Sequence, residues 1–192
     1  LISRAIENSK IMGLKARFVE GDAEFLPFKE NEFDIVLSQY GHMFAPRPSV
    51  VVKELARVLK PGGILAFSTW PKELFMGKFF KLIESFSQPL SFEVASPVLW
   101  GDMTIIEDRL KDHFDHIEFA RDTMFAPTMS PAHMLKLFEK NAGPLANLVK
   151  ALADDPTKLS NLRNAALILI EQFFSNNFLR QDFLMTRCIK KV

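Results

Sequence analysis

An α/β fold built on a partly parallel sheet is predicted by three observations. Residues 33–86 alternate between apolar runs of strand length and stretches with helical spacing. The connections are short and carry Pro or Gly, and the order strand, helix, strand, helix is the signature of a right-handed βαβ layer. Beyond residue 100 the pattern changes to one long alternating strand, a helical stretch and a closing strand.

The elements follow in order. Ile2, Ala5 and Ile6 repeat at helical spacing, and Gly13 supplies a stop. Ala16–Gly21 reads as a short strand of mixed polarity, suited to a sheet edge. In "FDIVLSQY", Ile35, Val36 and Leu37 are consecutive, which predicts a central parallel strand covered on both faces. Val52, Leu55, Ala56 and Leu59 mark one face of the next helix, and Pro61-Gly62-Gly63 is expected to end it. "ILAFSTW" is the next buried strand. Pro71 is expected to open a helix with Met76, Phe79, Phe80 and Ile83 inward, and "TIIE" (104–107) reads as a capping box. Ser130-Pro131 and Asp155-Pro156 read as helix starts with Pro at the first helical position. Segments 117–125 and 178–189 are expected to be strands of one sheet edge, with the intervening helices covering a face.

Composition excludes several function classes. Nearly half of the 192 residues are apolar, and the formal charge of +1 is interspersed along the chain, which gives nucleic acid no basic stripe to bind. Cys188 is the single cysteine, so there is no disulfide framework and no cysteine-based metal site; a reducing cytoplasm suits it best. No metal is expected. His42, His113, His116 and His133 form no i, i+4 ligand pair, and no Gly-x-Ser-x-Gly elbow occurs. No apolar run approaches the ~20 residues of a membrane span. The surplus of Phe, at 19 residues, is explained by core packing as well as by a binding site.

Three motifs in fixed order, "GDAEFLPF" (21–28), "FDIVLSQYGHMF" (33–44) and "ELARVLKPGGILAFSTW" (54–70), resemble the class I S-adenosylmethionine-dependent methyltransferases. The likeness is to their small-molecule branch, similar to the ubiquinone/menaquinone C-methyltransferases. It implies a Rossmann-like sheet with an antiparallel final strand pair and a helical insertion. The whole chain would be one methyltransferase-like domain: 1–90 a partial cofactor-binding core, 130–176 a helical lid, 177–192 the final strand. Ligands of open α/β sheets bind beyond the carboxyl ends of the strands. The resemblance therefore places Asp22 on the adenine amine of S-adenosyl-L-methionine, the Ala23 amide on a ring nitrogen, and Leu26 and Phe28 beside the ring. Ser38 and Gln39 would lie next to the methionine part, and Tyr40 and His42 next to the substrate.

Each residue also has a plainer reading. Asp22 after Gly is a common turn residue, His42 a loop histidine with one structural hydrogen bond, and Tyr40 a core aromatic. Glu54 and Arg57 read as a surface pair, and Gly62-Gly63 as a turn following a helix. The family's glycine-rich loop and the acid that holds the ribose are not in the sequence, so the first strands of the sheet are expected to be missing and the chain to be an N-terminally truncated form, inactive by itself. Exposed sheet edges would then be open to homodimer formation. The expected function is methyl transfer to a small, apolar acceptor; a catalytically inactive methyltransferase-like binding or assembly protein is the alternative. A nicotinamide-dependent dehydrogenase shares the layers but has no role for "GDAEFLPF", and a Tyr-x-x-x-Lys pair is missing.

Overall fold

The computed structural model describes residues 2–88 and 95–192. The first helix, α1 (Ile2–Ile11), stops before Gly13, whose φ of +64° is the left-handed turn that glycine adopts without strain. The next regular element is strand β1 (Phe33–Gln39), followed by helix α2 (Pro48–Val58), strand β2 (Leu59–Thr69) and helix α3 (Phe75–Phe86). Then come α4 (Met103–Leu110), β3 (Phe114–Pro127), helices α5 (Pro131–Asn141), α6 (Gly143–Ala151) and α7 (Pro156–Glu171), the short β4 (Phe174–Ser175) and β5 (Phe178–Lys190).

The sheet order is β1-β2-β5-β3. β1 and β2 are parallel, as a βα crossover demands. β5 enters antiparallel between β2 and β3, with β4 added at one end. The expected antiparallel pairing of the two late strands is therefore present, with β3 as the edge and β5 inside.

Because side chains alternate along a strand, the register assigns the faces. Val36, Ser38, Leu65, Phe67, Thr186 and Cys188 share one face, which packs with Val52, Leu55, Trp100, Ile106 and Leu110 into the main core. Ile35, Leu37, Ile64, Ala66, Met185 and Ile189 share the other. A second core joins α3, α5, α6 and α7 around Phe75, Phe79, Leu145, Leu162 and Ile170 and reaches the sheet at Leu179.

Several expectations need correction. Ala16–Gly21 forms no strand, because no neighbour pairs with it; only an isolated bridge joins Asp22 and Phe25. β1 is an edge strand instead of a covered central one. Its Ile35 and Leu37 are 55% and 75% exposed, since nothing described packs on their side. The chain enters β2 directly at Leu59, and Lys60–Gly63 bulge out between the Phe33–Leu59 and Ile35–Ile64 pairs, with Gly62 at φ +74°. α3 begins at Phe75, after Pro71 and a turn. The cap of α4 is Asp102, whose carboxylate accepts from the Thr104 and Ile105 amides, and not Thr104. The Ser130 and Asp155 side chains do cap α5 and α7, accepting from the His133 and Lys158 amides. The apolar residues of 75–100 and 124–150 suit a lid as well as core packing from sequence, and 89–94 of the first segment lie outside the described residues.

A candidate cofactor cleft at the edge strand

Residues 21–28 form a compact turn before β1. The Asp22 carboxylate accepts the Glu24 amide through Oδ1 (2.9 Å), and the Phe25 amide returns to the Asp22 carbonyl (3.0 Å). This is the local side-chain-to-backbone bond that Asp makes readily. A Cβ on Gly21 would sit 2.7 Å from the Pro27 ring, so glycine is required for the turn to close.

Two ion pairs fasten the turn to α2 and its approach. The buried Glu24 carboxylate accepts the Arg47 amide (2.6 Å) and its Nε (2.7 Å). Glu54 accepts the Leu26 amide through Oε2 (2.9 Å) and Arg57 Nε through Oε1 (2.8 Å). Arg57 in turn donates to the carbonyls of Phe28 (2.8 Å) and Leu26 (3.0 Å). Expected as a surface pair, Glu54 and Arg57 are instead a bracket that saturates the backbone of 26–28. The hydrogen bond from Arg57 holds the Glu54 carboxyl below its ordinary range.

Between this turn and β1 lies a cleft of about 440 Å³. Ala23, Leu26 and Phe28 line it from the turn, Val36, Ser38, Gly41 and His42 from the strand end, and Leu55 and Val58 from α2. Its lining carries no charged side chain.

Beyond β1, Tyr40 adopts φ +55°, a strained value for a side-chain-bearing residue. Its amide donates to the Ser68 carbonyl (3.2 Å), and its ring stacks on Trp70 with centroids 4.0 Å apart and meets the Phe183 edge. Burial pushes the Tyr40 hydroxyl up. His42 is 4% exposed, set edgewise against Phe67 (4.6 Å) and Trp100 (4.5 Å), with Nδ1 2.8 Å from Ser38 Oγ. Burial first, and then the positive Arg109, lower its pKa to about 4, so the ring is neutral at physiological pH. The Arg109 guanidinium lies 4.5 Å over the Trp100 ring.

The structure thus brings Ala23, Ser38 and His42 to one cleft, together with Leu26 and Phe28. Asp22 is exposed beside them, with one oxygen engaged in its own turn. Gln39 is exposed and, one residue on from Ser38, belongs to the opposite face of the sheet. Tyr40 packs on Trp70. Glu24, Arg47, Trp100 and Arg109 went unnoticed in the sequence. Glu24 and Arg47 are 23 residues apart, and no local pattern announces their pairing.

A sheet with parallel strands, ligand-facing strand ends and an antiparallel final strand defines a Rossmann-like class of α/β protein. Comparison with known proteins narrows it. Residues 1–67 match the family model described as "Methyltransferase domain". The uncharacterized protein Rv1403c of Mycobacterium tuberculosis is 30% identical over 186 residues, 96% of this chain and 68% of that one. A ubiquinone/menaquinone biosynthesis C-methyltransferase of Azotobacter vinelandii is 37% identical over 78 residues, covering 39% of this chain and 30% of that one. Among solved structures, a putative methyltransferase from Bacillus halodurans has the same fold, with a TM-score of 0.55 at 17% identity over all of this chain and 79% of that one. The chain belongs to the class I S-adenosylmethionine-dependent methyltransferase family.

Membership implies S-adenosyl-L-methionine as the methyl donor. The cleft fits one end of that molecule. Its apolar walls suit an adenine ring, whereas the described lining offers no cation for a carboxylate.

Proposed function

We propose that this chain is part of an enzyme that transfers the methyl group of S-adenosyl-L-methionine to a small, apolar acceptor. The observation that carries the reading is the cleft at the carboxyl end of β1, whose turn is held rigid by Glu24–Arg47 and Glu54–Arg57. Adenine is held between Ala23, Leu26 and Phe28, with the remaining Asp22 oxygen accepting its amine. Ser38 meets the methionine part. The donor supplies an electrophilic methyl; the protein's share is orientation, because displacement needs the pair aligned. Tyr40, with Trp70, forms the acceptor's apolar wall. His42 packs behind the cleft against Phe67 and Trp100, and burial beside Arg109 disfavours its protonation and leaves it a weak base.

The free edge of β1 supports the view that a further strand pairs there in the working enzyme and brings the missing donor groups to the cleft. Without it the same edge is open to a second copy of the chain. The helical segment 130–176 acts as a lid, and the reducing cytoplasm suits the buried Cys188. Among the described residues no helix is long and apolar enough to cross a membrane.

Calorimetry tests the reading. The 192-residue chain is expected to bind S-adenosylmethionine more weakly than micromolar, and the full-length protein to bind at micromolar levels and to methylate a member of an apolar acceptor screen. Micromolar binding by the short chain overturns the proposed truncation. Absence of binding by the full-length protein overturns the enzyme and favours a binding or assembly role.

A further inference from the structure

The contacts around His42 constrain where its proton lies. Ser38 Oγ sits 2.8 Å from His42 Nδ1 and accepts the His42 backbone amide at 3.2 Å. The other ring nitrogen, Nε2, is fully buried and has no partner among the described residues. Arg109 packs on the same Trp100 ring as His42 and forms no ion pair among the described residues; its own Nη1 is buried without a partner.

The neutral imidazole has two tautomers. With the proton on Nε2, a buried N–H has no acceptor and stands in the field of a guanidinium, and both are unfavourable. With the proton on Nδ1, the buried Nε2 keeps a lone pair, which a nearby positive charge favours over an N–H, and Nδ1–H donates to Ser38 Oγ. That oxygen then accepts two N–H groups, which fills its acceptor sites. Its own hydrogen has to point elsewhere, and Ser38 lines the cleft.

We infer that Arg109 and His42 are positioning residues that fix the Ser38 hydroxyl as a hydrogen-bond donor aimed into the cleft, where it meets a carboxylate, carbonyl or hydroxyl oxygen of the bound ligand. The ligand part of this inference rests on the proposed cofactor site; the proton assignment does not.

Two-bond proton–nitrogen correlation on the protein labelled with ¹⁵N-histidine tests the assignment directly. His42 is expected as the Nδ1-protonated neutral tautomer at pH 7, and an Nε2-protonated ring overturns the inference. Arg109→Met is expected to move the ring toward the Nε2 form; an unchanged tautomer removes Arg109 from the device. S-adenosylhomocysteine binding to the full-length protein tests the consequence. Ser38→Ala is expected to weaken it about fivefold to tenfold, the worth of one hydrogen bond. His42→Asn, which puts its amide where Nδ1 sits, keeps affinity within about twofold, while His42→Gln, which reaches toward Nε2, falls as Ser38→Ala does. Equal losses in the Asn and Gln variants mean that His42 only fills space, and overturn the positioning role. A full-length protein that binds no S-adenosylhomocysteine overturns the ligand part together with the proposed function, and the tautomer then decides the remainder.

Discussion

β1 and β2 pair in parallel and carry similar apolar runs, yet their surroundings are opposite. On the face they share, Ile64 and Ala66 of β2 are half-buried while Ile35 and Leu37 of β1 are 55% and 75% exposed. On the other face Leu65 and Phe67 of β2 are fully buried while Val36 and Ser38 of β1 are half-buried. β2 has a strand on each side and helix α2 against it, whereas β1 has a strand on one side and a cleft on the other. Burial is therefore a property of what surrounds a strand, and an apolar run records only what it can tolerate. The same difference separates structure from function here. The covered side supplies stability, and the open edge borders the proposed cofactor cleft.

The sharpest way to break the comparison is a truncation on the covered side. Leu184→Ala, on β5 beside β2, is expected to cost about 3 kcal/mol in urea unfolding, because it removes a fully buried side chain and leaves a cavity. A loss below about 1 kcal/mol would mean that the β2–β5 core is loose. Cys188 gives a chemical readout of the same region. Burial pushes its thiol up to about 12, so it should not react with a disulfide reagent at pH 8 until the protein unfolds.

The bracket on the cleft comes next in size. Arg57→Met leaves two backbone carbonyls and the Glu54 carboxylate without their donor, an expected loss of about 1–2 kcal/mol. Its pH dependence has a fixed sign. Glu54 is held below its ordinary pKa in the folded state, so its contribution is present above the unfolded value near 4.5 and disappears as pH falls through the lower folded value. Glu54→Gln should flatten the acid side of the urea-midpoint profile between pH 7 and 3. An unchanged profile would show that the bracket does not couple to folding.

The smallest effect belongs to the open side. Leu37→Ser is expected to change stability by less than about 0.5 kcal/mol, measured by urea unfolding. A larger loss would show that something covers this face in solution, and sedimentation of the same variant tells whether that cover is a second copy.

Much of this was legible in the residues. The α2 face, β2 and the Ser130 and Asp155 caps follow from spacing and local chemistry, and the family from three motifs in order. What stayed hidden depends on distance. Whether "FDIVLSQY" is central or peripheral is decided by chain that pairs with it. Arg57 shows its i, i+3 partner, but not the carbonyls of Leu26 and Phe28 about thirty residues earlier. From sequence His42 read either as a residue beside the substrate or as a loop histidine with one structural hydrogen bond; Phe67, Trp100 and Arg109 around it favour a structural role. Asp102 displaced Thr104 as the α4 cap because both fit a helix start, and only the backbone path chooses between them.

The position of β5 has a consequence for how the molecule is made. Residues 178–190 fill the slot between β2 and β3, so on a ribosome the sheet has no centre until all the other described helices and strands have already emerged. Until then the exposed flanks of β2 and β3 wait as unpaired edges, the condition in which nascent chains most need a chaperone. Premature termination in this stretch would remove the keystone and not a tail.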